Sequence, residues 1–105
     1  MNEANNPLIP PATFEFLVAS LRFQADMNLS GGLGQEGEEP EGPNLPLVRH
    51  FVDMLAMLLE KTKGNLTLDE QRALENTLTE LRFRYIQVFD QEKKKAEKAA
   101  EAAQG

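Results

Sequence analysis

The sequence predicts an all-α protein: three helices in an antiparallel arrangement of helical hairpins, with a long acidic loop between the first two. Three observations carry this. Glu60-Lys61-Thr62-Lys63-Gly64-Asn65-Leu66-Thr67-Leu68-Asp69-Glu70-Gln71 writes a helix stop and a helix start back to back. Apolar residues recur at three- and four-residue steps on either side of that corner and near the start of the chain. Between them, residues 29–43 are rich in glycine, glutamate and proline and cannot form a packed element. In the corner, Gly64 suits the left-handed residue that closes a helix, and Lys61 and Lys63 sit where the end of the dipole favours cations. Thr67 then caps the next helix, Glu70 completes a Thr-x-x-Glu capping box, and Asp69 adds negative charge to the first turn.

Residues 1–11, with Pro7, Pro10 and Pro11, read as an extended lead-in. A first helix is expected over Ala12–Asn28. Glu15, Arg22 and Asp26 share one narrow stripe with Ala19, which assigns that stripe to solvent. The remainder is largely apolar: Phe14, Leu17, Val18 and Leu21 on one side, Phe16, Phe23 and Met27 on another. A helix this apolar needs cover on more than one side. The second helix is expected to start with Asn44 as cap and Pro46 in its first turn, and to run to Lys63. Leu47, Val48, Phe51, Val52, Leu55, Leu58 and Leu59 form its apolar face, with Met54 and Met57 flanking it. Arg49 and Asp53 are spaced for an i,i+4 ion pair. The third helix begins at Leu68. Leu74, Leu78, Leu81, Tyr85 and Val88 form a heptad-like seam, which Ile86 and Phe89 widen near its end. Glu80 to Arg84 and Asp90 to Lys94 have the spacing of further i,i+4 pairs. Residues 12–89 thus make one helical domain. Residues 90–105 are an Ala/Lys/Glu tail, helical by propensity or frayed, since its only apolar residues are alanines with nothing to bury.

The second and third helices, joined through the EKTKGNLT corner, resemble a small bacterial family, the domain of unknown function 1844. The resemblance rests on the run Phe51-Val52-Asp53-Met54-Leu55-Ala56-Met57-Leu58-Leu59 entering the corner, and downstream on Glu75 and Leu81-Arg82-Phe83-Arg84-Tyr85. Thr13-Phe14 and the small and apolar residues after them are similar to the family's first helix, so the resemblance covers residues 12–89. It implies an all-helical cytoplasmic bacterial protein and carries over no activity.

At 105 residues the chain is one domain at most. Roughly 60 to 65 of them can pack, a size at which a lone core is marginal. There is no cysteine, which excludes disulfides and thiolate metal sites. The opening has no positive start followed by an apolar run, so no secretory signal is expected. The longest apolar stretch, residues 45–59, is too short for a bilayer and interrupted by Arg49, His50 and Asp53. A cytoplasmic location is the expectation. Of the net charge of −6, residues 1–43 hold seven acids and one base, whereas 44–105 hold ten of each. That balance lacks the basic footprint of a nucleic-acid binder.

No constellation points to catalysis, a cofactor or a metal. His50 is the only histidine and has no second histidine or cysteine to converge with. Glu36, Glu38, Glu39 and Glu41 lack the spacing and turn glycine of a calcium loop. Gly31-Gly32-Leu33-Gly34 follows a helix, has no Lys-Ser/Thr ending and is followed by acids that would repel phosphate. Arg82 and Arg84, with Lys93, Lys94, Lys95 and Lys98 beyond, are the one basic concentration; the interleaved Glu80, Asp90, Glu92, Glu97 and Glu101 balance them.

What stands out is an apolar excess. Phe16, Phe23 and Met27 on the first helix, with Met54 and Met57 on the second, exceed what a three-helix monomer hides. Covering four such side chains would supply roughly 6 kcal/mol at about 1.5 kcal/mol each, comparable to the stability of a small domain. These five residues are the candidate interface of a helical homodimer, the commonest oligomer. The function expected is a non-catalytic, self-associating protein-interaction module. The alternative is a monomeric binding module that offers an apolar helical groove to a partner helix or a membrane surface.

Overall fold

Each helix begins where the sequence supplies a cap. The computed structural model describes residues 9–31 and 42–104, and its three helices are α1 (Phe14–Leu29), α2 (Leu45–Lys61) and α3 (Leu68–Gln104). Most of the lead-in and residues 32–41 of the expected acidic loop lie outside the described residues.

Thr13, not a residue before it, starts α1: its side-chain hydroxyl accepts the Phe16 N–H at 3.1 Å. The helix ends in a turn in which the Ser30 N–H reaches the Asp26 carbonyl and Gly31 takes a φ of 89°. Asn44 caps α2, its side-chain oxygen accepting the Leu47 N–H at 3.2 Å. The Asn44 N–H also donates to the Asn28 carbonyl at 2.9 Å, so the two ends of the 29–43 connection are tied together.

The corner is built as its residues dictate. α2 stops at Lys61, two residues before the expected end: Thr62 still places its N–H and its hydroxyl on the Leu58 carbonyl, at 2.9 and 2.6 Å, but the Lys63 N–H slips to the Glu60 carbonyl at 3.4 Å. Gly64 then takes a φ of 85°. On the far side the capping box closes in both directions. The Thr67 N–H donates to the Glu70 carboxylate at 2.8 Å, and the Glu70 N–H donates to the Thr67 hydroxyl at 3.1 Å. Space around Gly64 is open, with nothing within 4 Å of an added Cβ, so only the left-handed backbone demands glycine there. Gly64→Ala is therefore expected to cost about 1–2 kcal/mol, and Gly64→Asn less, measured by urea denaturation.

All three helices pack on one another. Arg22 of α1 pairs with Glu80 of α3 and Asp26 with Arg84, so these two helices advance together. α2 runs against α3: Leu59 and Glu60 share a groove with Gln71 and Glu75, whereas Arg49 shares one with Tyr85 and Ile86. Consecutive helices thus run in opposite senses. The core is a single cluster: Val18, Leu21, Ala25 and Leu29 from α1, Val48, Phe51, Val52 and Leu55 from α2, and Leu74, Leu78 and Leu81 from α3. Tyr85 and Val88 continue the α3 seam as half-buried side chains against that cluster. Beyond them α3 stays helical to Gln104 although every side chain from Lys93 to Ala103 is exposed. Alanine, glutamate and lysine favour the helix there without any apolar burial. The result is elongated and thin, 65 × 36 × 16 Å.

Candidate functional site

The polar stripe of α1 faces solvent only at its start: Glu15 and Ala19 are exposed, whereas Arg22 and Asp26 are half-buried at the edge of the core. Arg22 and Asp26 flank the buried Leu21 and Ala25 and lean toward α3, where a chain of charges forms: Glu80, Arg22, Asp26, Arg84. The Arg22 Nε lies 3.7 Å from the Asp26 carboxylate, which also accepts a hydrogen bond from Arg84. Glu80 and Arg84 therefore spend their charges on α1 and not on each other. Likewise Arg49 and Asp53 form no ion pair among the described residues, and the tail pairs Lys95 with Glu92 at 3.6 Å in place of Asp90 with Lys94. The α1–α3 side chains are 33–52% exposed, so water screens them. Asp26→Ala, which leaves Arg22 and Arg84 facing each other, is expected to cost about 1 kcal/mol in low salt and less in high salt. Urea denaturation at two ionic strengths checks this.

With Val18, Leu21, Ala25 and Leu29 turned inward, the opposite face of α1 points outward. Phe16 and Phe23 are 42% and 62% exposed, and Met27, four residues on, is half-buried on the same face. Ala19, Ser20 and Gln24 lie with the two phenylalanines around a shallow groove of about 300 Å³. The two candidates on α2 part company. Met57 points outward, 44% exposed, whereas Met54 is half-buried and packs against the protein's own core. The structure thus gathers Phe16, Phe23 and Met27 onto one face and leaves Met54 and Met57 on a different helix, facing different ways.

A second exposed apolar group lies on α3. Phe83, Ile86 and Phe89 are 62%, 58% and 48% exposed. Ile86 and Phe89, expected to widen the seam, are largely exposed beside it instead. Phe83 sits two residues after Leu81 and two before Tyr85, which on a 3.6-residue helix places it opposite the buried seam; that spacing is the signal by which it can be found.

Chemistry is sparse elsewhere. His50 is exposed and meets Phe51 edge-on, ring centres 5.7 Å apart. Among the described residues no three His, Cys, Asp or Glu side chains converge as a metal site would require, and no helix is long and apolar enough to cross a membrane. Two open grooves run between α2 and α3. One, of about 420 Å³, lies at the corner beside Leu59, Gly64 and Leu66; the other, of about 350 Å³, lies beside Arg49, Asp53, Tyr85 and Ile86, and Arg82 borders both.

No curated protein and no solved structure matches the chain. The Thr13 cap, α1, α2, the glycine corner and α3 as far as Tyr85 all fall within residues 11–87, the span matched by the profile of the domain of unknown function DUF1844, and the chain belongs to that family.

Proposed function

We infer that the protein is a non-catalytic, self-associating interaction module, a homodimer in which the outer faces of α1 from two copies pack together. The exposure of Phe23 and Phe16 on one face of one helix, opposite that helix's own buried stripe, carries this reading. Two such faces are self-complementary about a two-fold axis. Phe16 and Phe23 are seven residues, about 10 Å, apart, so an antiparallel partner brings its Phe23 to Phe16 and its Phe16 to Phe23. Ala19 and Ser20 between them are small enough to let the helices approach. Met27 extends the contact; Met57 lies outside it, and Met54 serves the monomer. The titratable groups are paired across helices or spread over exposed faces, which suits a binding role better than acid–base work. A bacterial cytoplasmic setting is what the resemblance to the family implies.

A contact made by one helix is modest in area, so the dimer is expected to dissociate on dilution. Light scattering on a sizing column over a concentration series tests this. A mass that rises from one chain to two with concentration, and that Phe23→Asp holds at one, is the expected result. A wild-type mass of one chain at every concentration would end the dimer reading.

A further inference from the structure

The groove of about 350 Å³ between α2 and α3 combines an apolar floor with two arginines. Val52 is buried beneath it, Tyr85 is half-buried, and Ile86 is 58% exposed at its edge. Phe89 prolongs the floor along α3: its ring stacks on Tyr85 at 6.2 Å with 25° between the planes, and it is 48% exposed. The charge around this floor is unbalanced. Arg49 and Arg82 both border it with one acid, Asp53, and neither arginine has a carboxylate within 4.0 Å among the described residues. The neighbouring Arg22 and Arg84 are engaged with Asp26 and Glu80, so Arg49 and Arg82 are the guanidiniums left available here. On a chain of net charge −6, a cationic rim around exposed apolar surface is a local exception to the overall sign.

An apolar floor alone does not select a partner; a rim whose charge is unbalanced, here two guanidiniums against one carboxylate, does. A guanidinium offers a rigid fork of donors that matches a carboxylate with two parallel hydrogen bonds. We propose that this groove docks an acidic amphipathic helix of a partner protein, its carboxylates on Arg49 and Arg82 and its apolar side chains against Tyr85 and Ile86. The site lies on α2 and α3, away from the outer face of α1, so it stands or falls independently of self-association.

Tyr85 makes the test direct. It is the only tyrosine, and the chain has no tryptophan, so near-ultraviolet emission reports on this groove. The probe is a synthetic helix of about 18 residues, with leucines on one face, glutamates on the other and no aromatic residue. It is titrated into the full chain beside a counterpart with lysine for every glutamate, and beside phosphatidylglycerol vesicles. The acidic helix is expected to change Tyr85 emission saturably and to bind about tenfold or more tighter than the basic one in low salt, weakening as salt rises. The Arg49→Glu/Arg82→Glu variant, checked for unchanged helicity and mass, is expected to lose about tenfold or more in affinity. Arg49→Gln/Arg82→Gln serves as the milder variant should the reversal disturb folding. Phe23→Asp is expected to leave the titration unchanged. Equal binding of both peptides, an unchanged Tyr85 emission, undiminished affinity in both arginine variants, or a vesicle response matching the acidic helix would each overturn the proposal.

Discussion

Leu81→Ala is expected to cost about 3 kcal/mol of stability, and Phe83→Ala, two residues away, less than about 0.5 kcal/mol. Leu81 is fully buried in the one cluster that all three helices share, so removing its methyl groups leaves a cavity that α1 and α2 cannot close without moving. Phe83 is larger and, as a free amino acid, equally apolar, yet it is 62% exposed and its removal uncovers little. Leu55→Ala and Leu74→Ala, both fully buried, are expected to behave as Leu81→Ala does. Small domains have marginal stability, so the loss of about 3 kcal/mol is a large part of the total. Urea unfolding followed by circular dichroism measures the difference. A Phe83→Ala loss as large as that of Leu81→Ala would mean that α3 is rotated from the orientation described here.

That contrast also shows where the sequence is legible. The corner could be read almost residue by residue, because capping is local: Thr67 and Glu70 need only each other, and Gly64 needs only its own backbone. The seam of α3 is equally plain, since Leu74, Leu78 and Leu81 keep a strict period and the one polar residue buried with them, Thr77, is small and uncharged. α1 was harder. Its polar residues form so narrow a stripe that two apolar faces remain, and periodicity cannot say which is inside. The choice is made by packing far along the chain: Val18, Leu21, Ala25 and Leu29 join the core that α2 and α3 supply, Arg22 and Asp26 then meet Glu80 and Arg84 at its edge, and Phe16 and Phe23 are left outside. The same non-local choice placed Met54 against the core and Met57 away from it. Arg49 and Asp53 show the limit of spacing rules: an i,i+4 interval permits a pair but adds only a few tenths of a kcal/mol, too little to hold two solvated side chains together.

The five candidate interface residues should therefore separate in a single set of substitutions. Phe16→Asp/Phe23→Asp is expected to abolish the dimer while leaving the urea midpoint of the monomer, measured at high dilution, nearly unchanged. Both rings lie opposite the buried stripe of α1, so the monomer loses little apolar burial, while the proposed contact loses two large side chains worth about 1.5 kcal/mol or more each on either subunit and gains like charges facing across the two-fold axis. Met54→Ala should do the opposite. It packs against the core from a half-buried position, so it is expected to cost about 1–2 kcal/mol of monomer stability without a direct effect on the contact. Met57→Ser, exposed on α2 and outside the α1 face, should change neither quantity by much. Sizing with light scattering and urea unfolding on the same samples distinguishes these classes. If Met57→Ser lowered the mass and the double phenylalanine variant did not, the self-association surface would lie on α2. The outer face of α1 would then be free for another partner.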